Sequence, residues 1–303
     1  MHLIGIDVGG TNFRVGVFSG LDMVFEKRFE ADFSALCRLM PNEAQAVILS
    51  TLASAISEAM AGFPEAKGIG IGFPGFVDPQ SMHIASSPNL PNLLDVDIVG
   101  PLSAKFALPV IVENDALAAA YGESFFCGIP SLIYVGLGTG VGGGLVLQGV
   151  PYGGEHGVAM EIGHLIVEEG GRPCGCGNCG CLEQYASASG VSKSYLDSSG
   201  KKISAKEIAA LAIQGDEAAV SAFERAGATM GRAVAHILKV VDIPHIVIGG
   251  GLSGSWQLME PAFRQRLEAD LVPVLRGKTS VAVSRAKDSA GMLGAAKLAG
   301  NQL

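Results

Sequence analysis

Short apolar runs, glycine-rich turns and helical spacings alternate along this chain. Leu3 to Val8 reads as a buried strand, Gly9-Gly10-Thr11 as a turn, and Phe13 to Phe18 as a returning strand. Apolar positions over residues 43–60 recur at helical spacing and predict an amphipathic helix. Gly68 to Gly72 predicts a short strand stopped by Pro74-Gly75. Val110 to Val112 predicts another, followed by Glu113-Asn114-Asp115 and an alanine-rich helix reaching about Phe126.

A second cycle begins near Ser131. Leu132 to Leu137 predicts a strand, Gly138 to Gly144 a glycine-rich turn, and Leu145 to Leu147 a returning strand. Residues 205–240 are helical in pattern. Ile246 to Ile248 predicts a strand ahead of Gly249-Gly250-Gly251; residues 256–270 predict a helix, Val281 to Val283 a last strand, and residues 288–299 a last helix. Strands followed by helices imply an α/β class, with sites at strand ends. The repeated plan of strand, glycine turn with a threonine, and strand implies two related halves.

Composition narrows the function. Hydrophobic residues make up 49% and charged residues 17% of 303, a globular balance. Glycine, at 42 residues, is roughly twice its usual share, and no collagen-like period uses it up. A net charge of −8, from 21 basic and 29 acidic residues, argues against a nucleic acid or anionic membrane as partner. There is no run of 18 uninterrupted apolar residues, and Met1 to Asp7 lacks the basic start of a signal peptide, so the expectation is a cytoplasmic protein.

Three glycine turns carry candidate chemistry: Asp7 to Asn12, Gly136 to Gly144, and Gly249 to Ser253. Such turns let backbone N–H groups converge on an anion. Thr11 and Thr139 add hydroxyl donors, and Asp7 at a strand end can hold Mg²⁺ through water. No Gly-Lys-Ser/Thr of the P-loop kind occurs. No Gly-x-Gly-x-x-Gly opens a helix after the first strand, which makes a dinucleotide reading poor. Asp115 is either the cap of the helix that follows or a base taking a proton from an attacking hydroxyl, and the phosphate turns favour the base. Cys174, Cys176, Cys179 and Cys181, with His164 upstream, offer five ligands for a tetrahedral zinc site that needs four. A four-cysteine site and a site of His164 with three cysteines are both open on spacing alone.

Together these residues resemble the ROK family of sugar kinases (repressor, open reading frame, kinase), within the actin-like ATPase fold. The resemblance covers nearly the whole chain, and its most specific part is Glu161-x-x-His164 with Cys174-x-Cys176-x₄-Cys181-Leu-Glu183. It implies a two-domain α/β fold of the ribonuclease H-like kind with a cleft between domains. We expect residues 1–117 as the first domain, 118–287 as a larger second domain carrying the zinc loop, and the last helix, about 288–303, packed back on the first. It also implies ATP-dependent transfer of a phosphoryl group to the 6-hydroxyl of a glucose-like hexose. Allose, fructose or N-acetylhexosamine phosphorylation, and a non-catalytic sugar-binding module, are the alternatives.

On this resemblance Asp115 matches the catalytic base, and Asn89, Asn114, Glu161, His164 and Glu183 match sugar-holding positions. Asp7, Gly9, Gly10, Thr11, Asn12, Gly138, Thr139, Gly140, Gly142, Gly143, Gly249, Gly250 and Gly251 match the ATP side. His164, Cys174, Cys176 and Cys181 match the ligands of a structural Zn²⁺, leaving Cys179 outside. ATP and Mg²⁺ are the further cofactors and a homodimer the implied assembly. A repressor of the same family would need a helix-turn-helix ahead of the first strand, which here starts at Leu3. Met160 stands where the family often has glycine. The runs Gly153 to Ala159 and Pro88 to Pro91 look similar to the family's allose kinases.

Overall fold

Phe13, Val15 and Val17 are fully buried and alternate with half-buried or small residues along a strand, as a half-buried sheet requires. In the computed structural model, which describes residues 1–286 and 289–303, this strand is β2 (Asn12–Ser19), between β1 (His2–Val8) and β3 (Asp22–Glu30). Lys287 and Asp288, where the predicted domain boundary and the first residue of the predicted last helix fall, lie outside the described residues. The chain continues through α1 (Phe33–Leu39), α2 (Pro41–Gly62), β4 (Ile69–Phe73), the short strands β5 (Phe76–Val77), β6 (Ile84–Ser86) and β7 (Leu94–Val96), α3 (Val99–Phe106), β8 (Val110–Asn114) and α4 (Asp115–Cys127). Then follow β9 (Leu132–Leu137), β10 (Val141–Leu147), β11 (Val150–Pro151), α5 (Glu183–Ala186), α6 (Ala188–Ser199), α7 (Ala205–Ile213), α8 (Glu217–Val241), β12 (His245–Gly249), α9 (Trp256–Asp270), β13 (Ser280–Val283) and α10 (Ser289–Gly300).

Two compact units emerge, one of Met1–Ser131, Gly144–Ala159 and Ala286–Leu303, the other of Leu132–Gly143 and Met160–Arg285. In the first, the sheet runs β3-β2-β1-β4-β8, with β1 antiparallel to β2 and parallel to β4, and β4 parallel to β8. Its core joins Ile4, Ile6, Val15 and Ile71 to Ile48, Leu52 and Ile56 of α2. Among the described residues, α2 is the one helix whose length and mean hydropathy, 1.3, would suit a bilayer; here its apolar face packs on this core. Met292, Leu293 and Ala296 of α10 pack with Leu3 and Phe18. The glycine surplus matters here: a Cβ on Gly5 or Gly70 would collide with the backbone of Met292 or Ala295, so only glycine lets α10 lie this close to the sheet.

The second sheet runs β11-β10-β9-β12-β13, with β9, β12 and β13 parallel. Two sequence expectations are corrected here. The glycine turn after β9 ends at Gly140, because Val141 already begins β10, and Gly142 to Gly144 are strand residues. The helical stretch 205–240 is two helices. Ser204 and Glu207 form a capping box that starts α7, Gly215 turns the chain at φ +89°, and Asp216 caps α8 through Ala219 N–H. The strand β3, the small sheet β5-β6-β7 and helices α1, α3, α5 and α6 were not foreseen.

Candidate active site

The first glycine turn closes tightly. Gly9 N–H donates to the Asn12 carbonyl at 2.9 Å, and Ser34 N–H donates to the Gly10 carbonyl at 2.9 Å. Ser34 Oγ in turn donates to the Asn89 carbonyl at 2.7 Å. The exposed Asn89 is thereby brought beside the turn, held within a bend where Leu90 N–H reaches Ser87 Oγ at 3.1 Å. Thr11 is exposed, and Asn12 Nδ2 donates to its Oγ1 at 3.2 Å.

Asp7 and Arg14 are partners in the β1–β2 register, so their side chains share one face of the sheet. With Val8, Gly9, Asn12 and Asp115 they line a cavity of about 240 Å³. The structure therefore brings the first turn, the strand-end Asp7 and the candidate base Asp115 to one place. Arg14 is the residue that sequence reasoning missed. The signal available was its alternation, since Asn12 and Arg14 are half-buried while Phe13 and Val15 to Phe18 are buried.

Asp115 is not the helix cap. Asn114 caps α4, its Oδ1 accepting from Leu117 N–H at 3.0 Å. Its Nδ2 donates to the Gly75 carbonyl at 3.0 Å, and its N–H donates to Glu113 Oε1 at 2.8 Å. Asp115 is the first helical residue and accepts from Ala116 N–H at 2.8 Å. A carboxylate there gains from the helix N-terminal dipole. Burial pushes the Glu113 carboxyl above the usual range, against the hydrogen bond from Asn114.

In the second unit, one ligand atom each from His164, Cys174, Cys176 and Cys181 lies within 4.8 Å of all the others. Cys174 Sγ is 3.6 Å from His164 Nδ1, and Cys176 Sγ is 3.6 Å from Cys181 Sγ. Zinc–sulfur bonds of ~2.3 Å and zinc–nitrogen bonds of ~2.0–2.1 Å at tetrahedral angles require edges of roughly 3.5–3.8 Å. The donor set and its spacing thus fit Zn²⁺. Burial, together with Cys176 and Cys174 beside it, pushes the Cys181 thiol up to about 12 without a metal, so a cation is what would make it a thiolate. Cys179 is exposed and outside this cluster.

His164 Nδ1 faces the cysteines while Nε2 lies 3.8 Å from Glu161 Oε2. Burial raises the Glu161 carboxyl, with His164 opposing and Glu183 adding to the shift. The guanidinium groups of Arg172 and Arg225 each lie over the Tyr185 ring, 4.8 Å from its centre. Arg172 also donates to the Gln184 carbonyl and to Asp197, both at 2.7 Å, and Arg225 to Glu168 Oε2 at 2.7 Å. These arginines pin both ends of the cysteine loop. Met160, just ahead of Glu161, has φ +66°, a left-handed backbone that explains why glycine suits this position.

The remaining candidate glycines fall in two turns and in strand β10. Gly138 N–H donates to the Gly140 carbonyl at 3.0 Å, and Thr139 at the tip is exposed. Gly142 and Gly143 lie in β10, half-buried and buried. Gly249 ends β12, in register with Gly136 of β9. Gly250 has φ +80° and Gly251 opens a 3₁₀ turn. A Cβ on Gly250 would strike the Leu137 backbone, so this turn abuts the end of β9.

The chain is 34% identical to the glucokinase of Thermotoga maritima over 315 residues, covering 98% of this chain and 97% of that protein. It is 33% identical to the N-acetyl-D-glucosamine kinase of Salmonella paratyphi B, over 97% and 98% of the two chains. The crystal structure of a ROK family glucokinase from Streptomyces griseus, in complex with glucose and AMPPNP, superposes with a TM-score of 0.79 at 30% identity, over 99% of this chain and 100% of that one. The fold is the α/β fold of the actin-like ATPases. The model of the ROK family matches residues 3–302, and the chain belongs to the ROK family.

Proposed function

We propose that this protein is an ATP-dependent hexose kinase that phosphorylates the 6-hydroxyl of glucose. The observation that carries the reading is Asp115 at the first position of α4, in one cavity with Gly9 and Asn12 of the first turn. Asp115 takes the proton of the sugar hydroxyl as its oxygen bonds to the γ-phosphorus and the bond to the leaving ADP oxygen breaks. Mg²⁺ that accompanies ATP supplies charge neutralisation, and Asp7 is the carboxylate that would hold it through water. Arg14 adds a fixed cation beside the same phosphates, a stabilisation suited to phosphoryl transfer.

Asn114 spends Oδ1 on the helix and one N–H on Gly75; its second N–H is the sugar donor in this reading. On family membership, Glu161, His164 and Glu183 are read as hexose-holding residues, and so is Asn89. His164, Cys174, Cys176 and Cys181 would hold a structural Zn²⁺ with no open coordination position, fixing His164 through Nδ1. The enzyme is read as a cytoplasmic homodimer, on family membership. A coupled assay with ATP over glucose, N-acetylglucosamine, allose, mannose and fructose tests the substrate. Turnover highest with N-acetylglucosamine, the substrate named for a relative 33% identical, would replace glucose. No turnover with any of them would remove the kinase reading.

A further inference from the structure

The turn Gly138–Val141 is held from behind by the segment that follows the last cysteine of the zinc loop. Ala188 N–H donates to the Gly138 carbonyl at 2.9 Å. Ser189 Oγ donates to the Thr139 carbonyl at 2.9 Å. Val141 N–H donates to Glu183 Oε2 at 3.2 Å. The donors are themselves ordered: Ser187 caps α6 through Gly190 N–H at 3.0 Å and donates to the Glu183 carbonyl at 2.7 Å.

A trans peptide is planar, so its C=O and N–H point in opposite directions. Fixing the Gly138 carbonyl aims the Thr139 N–H the other way, and fixing the Thr139 carbonyl does the same for the Gly140 N–H. Those are the amides with which such a turn meets an anion. Gly140 gives the Thr139–Gly140 peptide freedom to rotate, and the Ser189 hydroxyl holds its carbonyl.

We propose that Ser189 is a positioning residue for the nucleotide: its hydroxyl sets the Thr139–Gly140 peptide so that the turn meets the ATP phosphates with its amides already aimed. This rests on the reading of Gly138–Val141 as an ATP-side turn. Ser189 is exposed, and its Oγ also lies 2.8 Å from Oγ of the buried Ser187 that caps α6, so Ser189→Thr, which keeps the hydroxyl, is the control for that contact. No role in sugar contact or proton transfer is assigned to it.

The test is calorimetric titration with Mg²⁺ and ATP in the absence of sugar, with hexose titrated separately. Ser189→Ala should weaken ATP binding and raise KM for ATP by roughly 3- to 10-fold, the scale of one hydrogen bond, with hexose affinity and kcat unchanged. Ser189→Thr, which keeps the hydroxyl, should restore the affinity. Unchanged ATP affinity in Ser189→Ala, or an equal loss for ATP and hexose, would overturn the proposal. Gly140→Val separates the two levels of the argument. Normal ATP binding in Gly140→Val removes the turn itself from the nucleotide site; loss there with none in Ser189→Ala removes only the role of Ser189.

Discussion

Asp7 and Arg14 stand directly opposite each other on β1 and β2, and both line the cavity that Asp115 also lines. On the proposed reading, an anionic and a cationic side chain at one strand pair suit a site for a metal-bound polyphosphate. Replacing Arg14 by Ala should lower kcat/KM for ATP by roughly 10- to 10³-fold, the range for removing one charge-stabilising group, with hexose affinity retained. Steady-state kinetics in both substrates checks this. Wild-type kinetics in Arg14→Ala would leave Arg14 as a strand residue only.

Asp115→Asn keeps the size and one acceptor for Ala116 N–H. Fold and hexose affinity should persist while kcat falls by roughly 10²–10⁴-fold, the contribution of a positioned base. Because Asn114 holds the cap, loss of activity here cannot be assigned to loss of capping. Turnover within a few-fold of wild type would end the assignment.

One zinc per chain is expected on His164, Cys174, Cys176 and Cys181. Metal analysis should find full zinc in Cys179→Ser and loss in Cys174→Ser. Chelation should weaken hexose binding through His164. It should also weaken ATP binding, since Glu183 and Ser189 follow the last ligand and hold the second turn. Zinc lost in Cys179→Ser and kept in His164→Ala would establish a four-cysteine site instead.

Met160 holds a left-handed backbone at a cost on the order of 1 kcal/mol relative to a residue without Cβ. Met160→Gly should therefore raise the unfolding midpoint in urea or leave it unchanged, while making the backbone ahead of Glu161 more mobile. A clear loss of stability would mean that the Met160 side chain contributes packing worth more than the strain.

Burial raises the Glu113 carboxyl above its ordinary 4.5, so the folded protein holds that proton more tightly than the unfolded chain. The contribution to stability is full below pH 4.5 and is lost as pH rises through the higher folded value. Glu113→Gln keeps an acceptor for Asn114 N–H and cannot ionise. Wild type should lose stability relative to Glu113→Gln as pH climbs from about 4.5 to neutrality, measured by urea unfolding across pH. A difference independent of pH would place the Glu113 effect elsewhere.

Much of this protein follows from local pattern. The strands at Leu3, Gly68, Leu132 and Ile246 announce themselves because buried parallel strands are short apolar runs between turn residues. The cysteine and histidine spacing declared a metal site because thiolate and imidazole at such intervals have few other uses. Local pattern misled where glycine is ambiguous: Gly142 to Gly144 read as turn, yet they are strand, since a residue without a side chain carries no periodicity. It was silent on β3, most of whose residues face solvent and whose place is set by pairing with β2.

Other questions needed the fold. Spacing left five candidate ligands for four places, and only the path of the chain through Pro173, paired with Cys179, turns Cys179 outward while His164 reaches Cys174. Asp115 could have been a cap or a base, and the choice fell to Asn114 because its Oδ1 meets Leu117 N–H. Arg14 joined the site only through the β1–β2 register. Residue types and short-range periodicity are written in the sequence, because they depend on neighbours along the chain. Which side chains share a cavity depends on pairings between distant segments, and those exist only once the chain has folded.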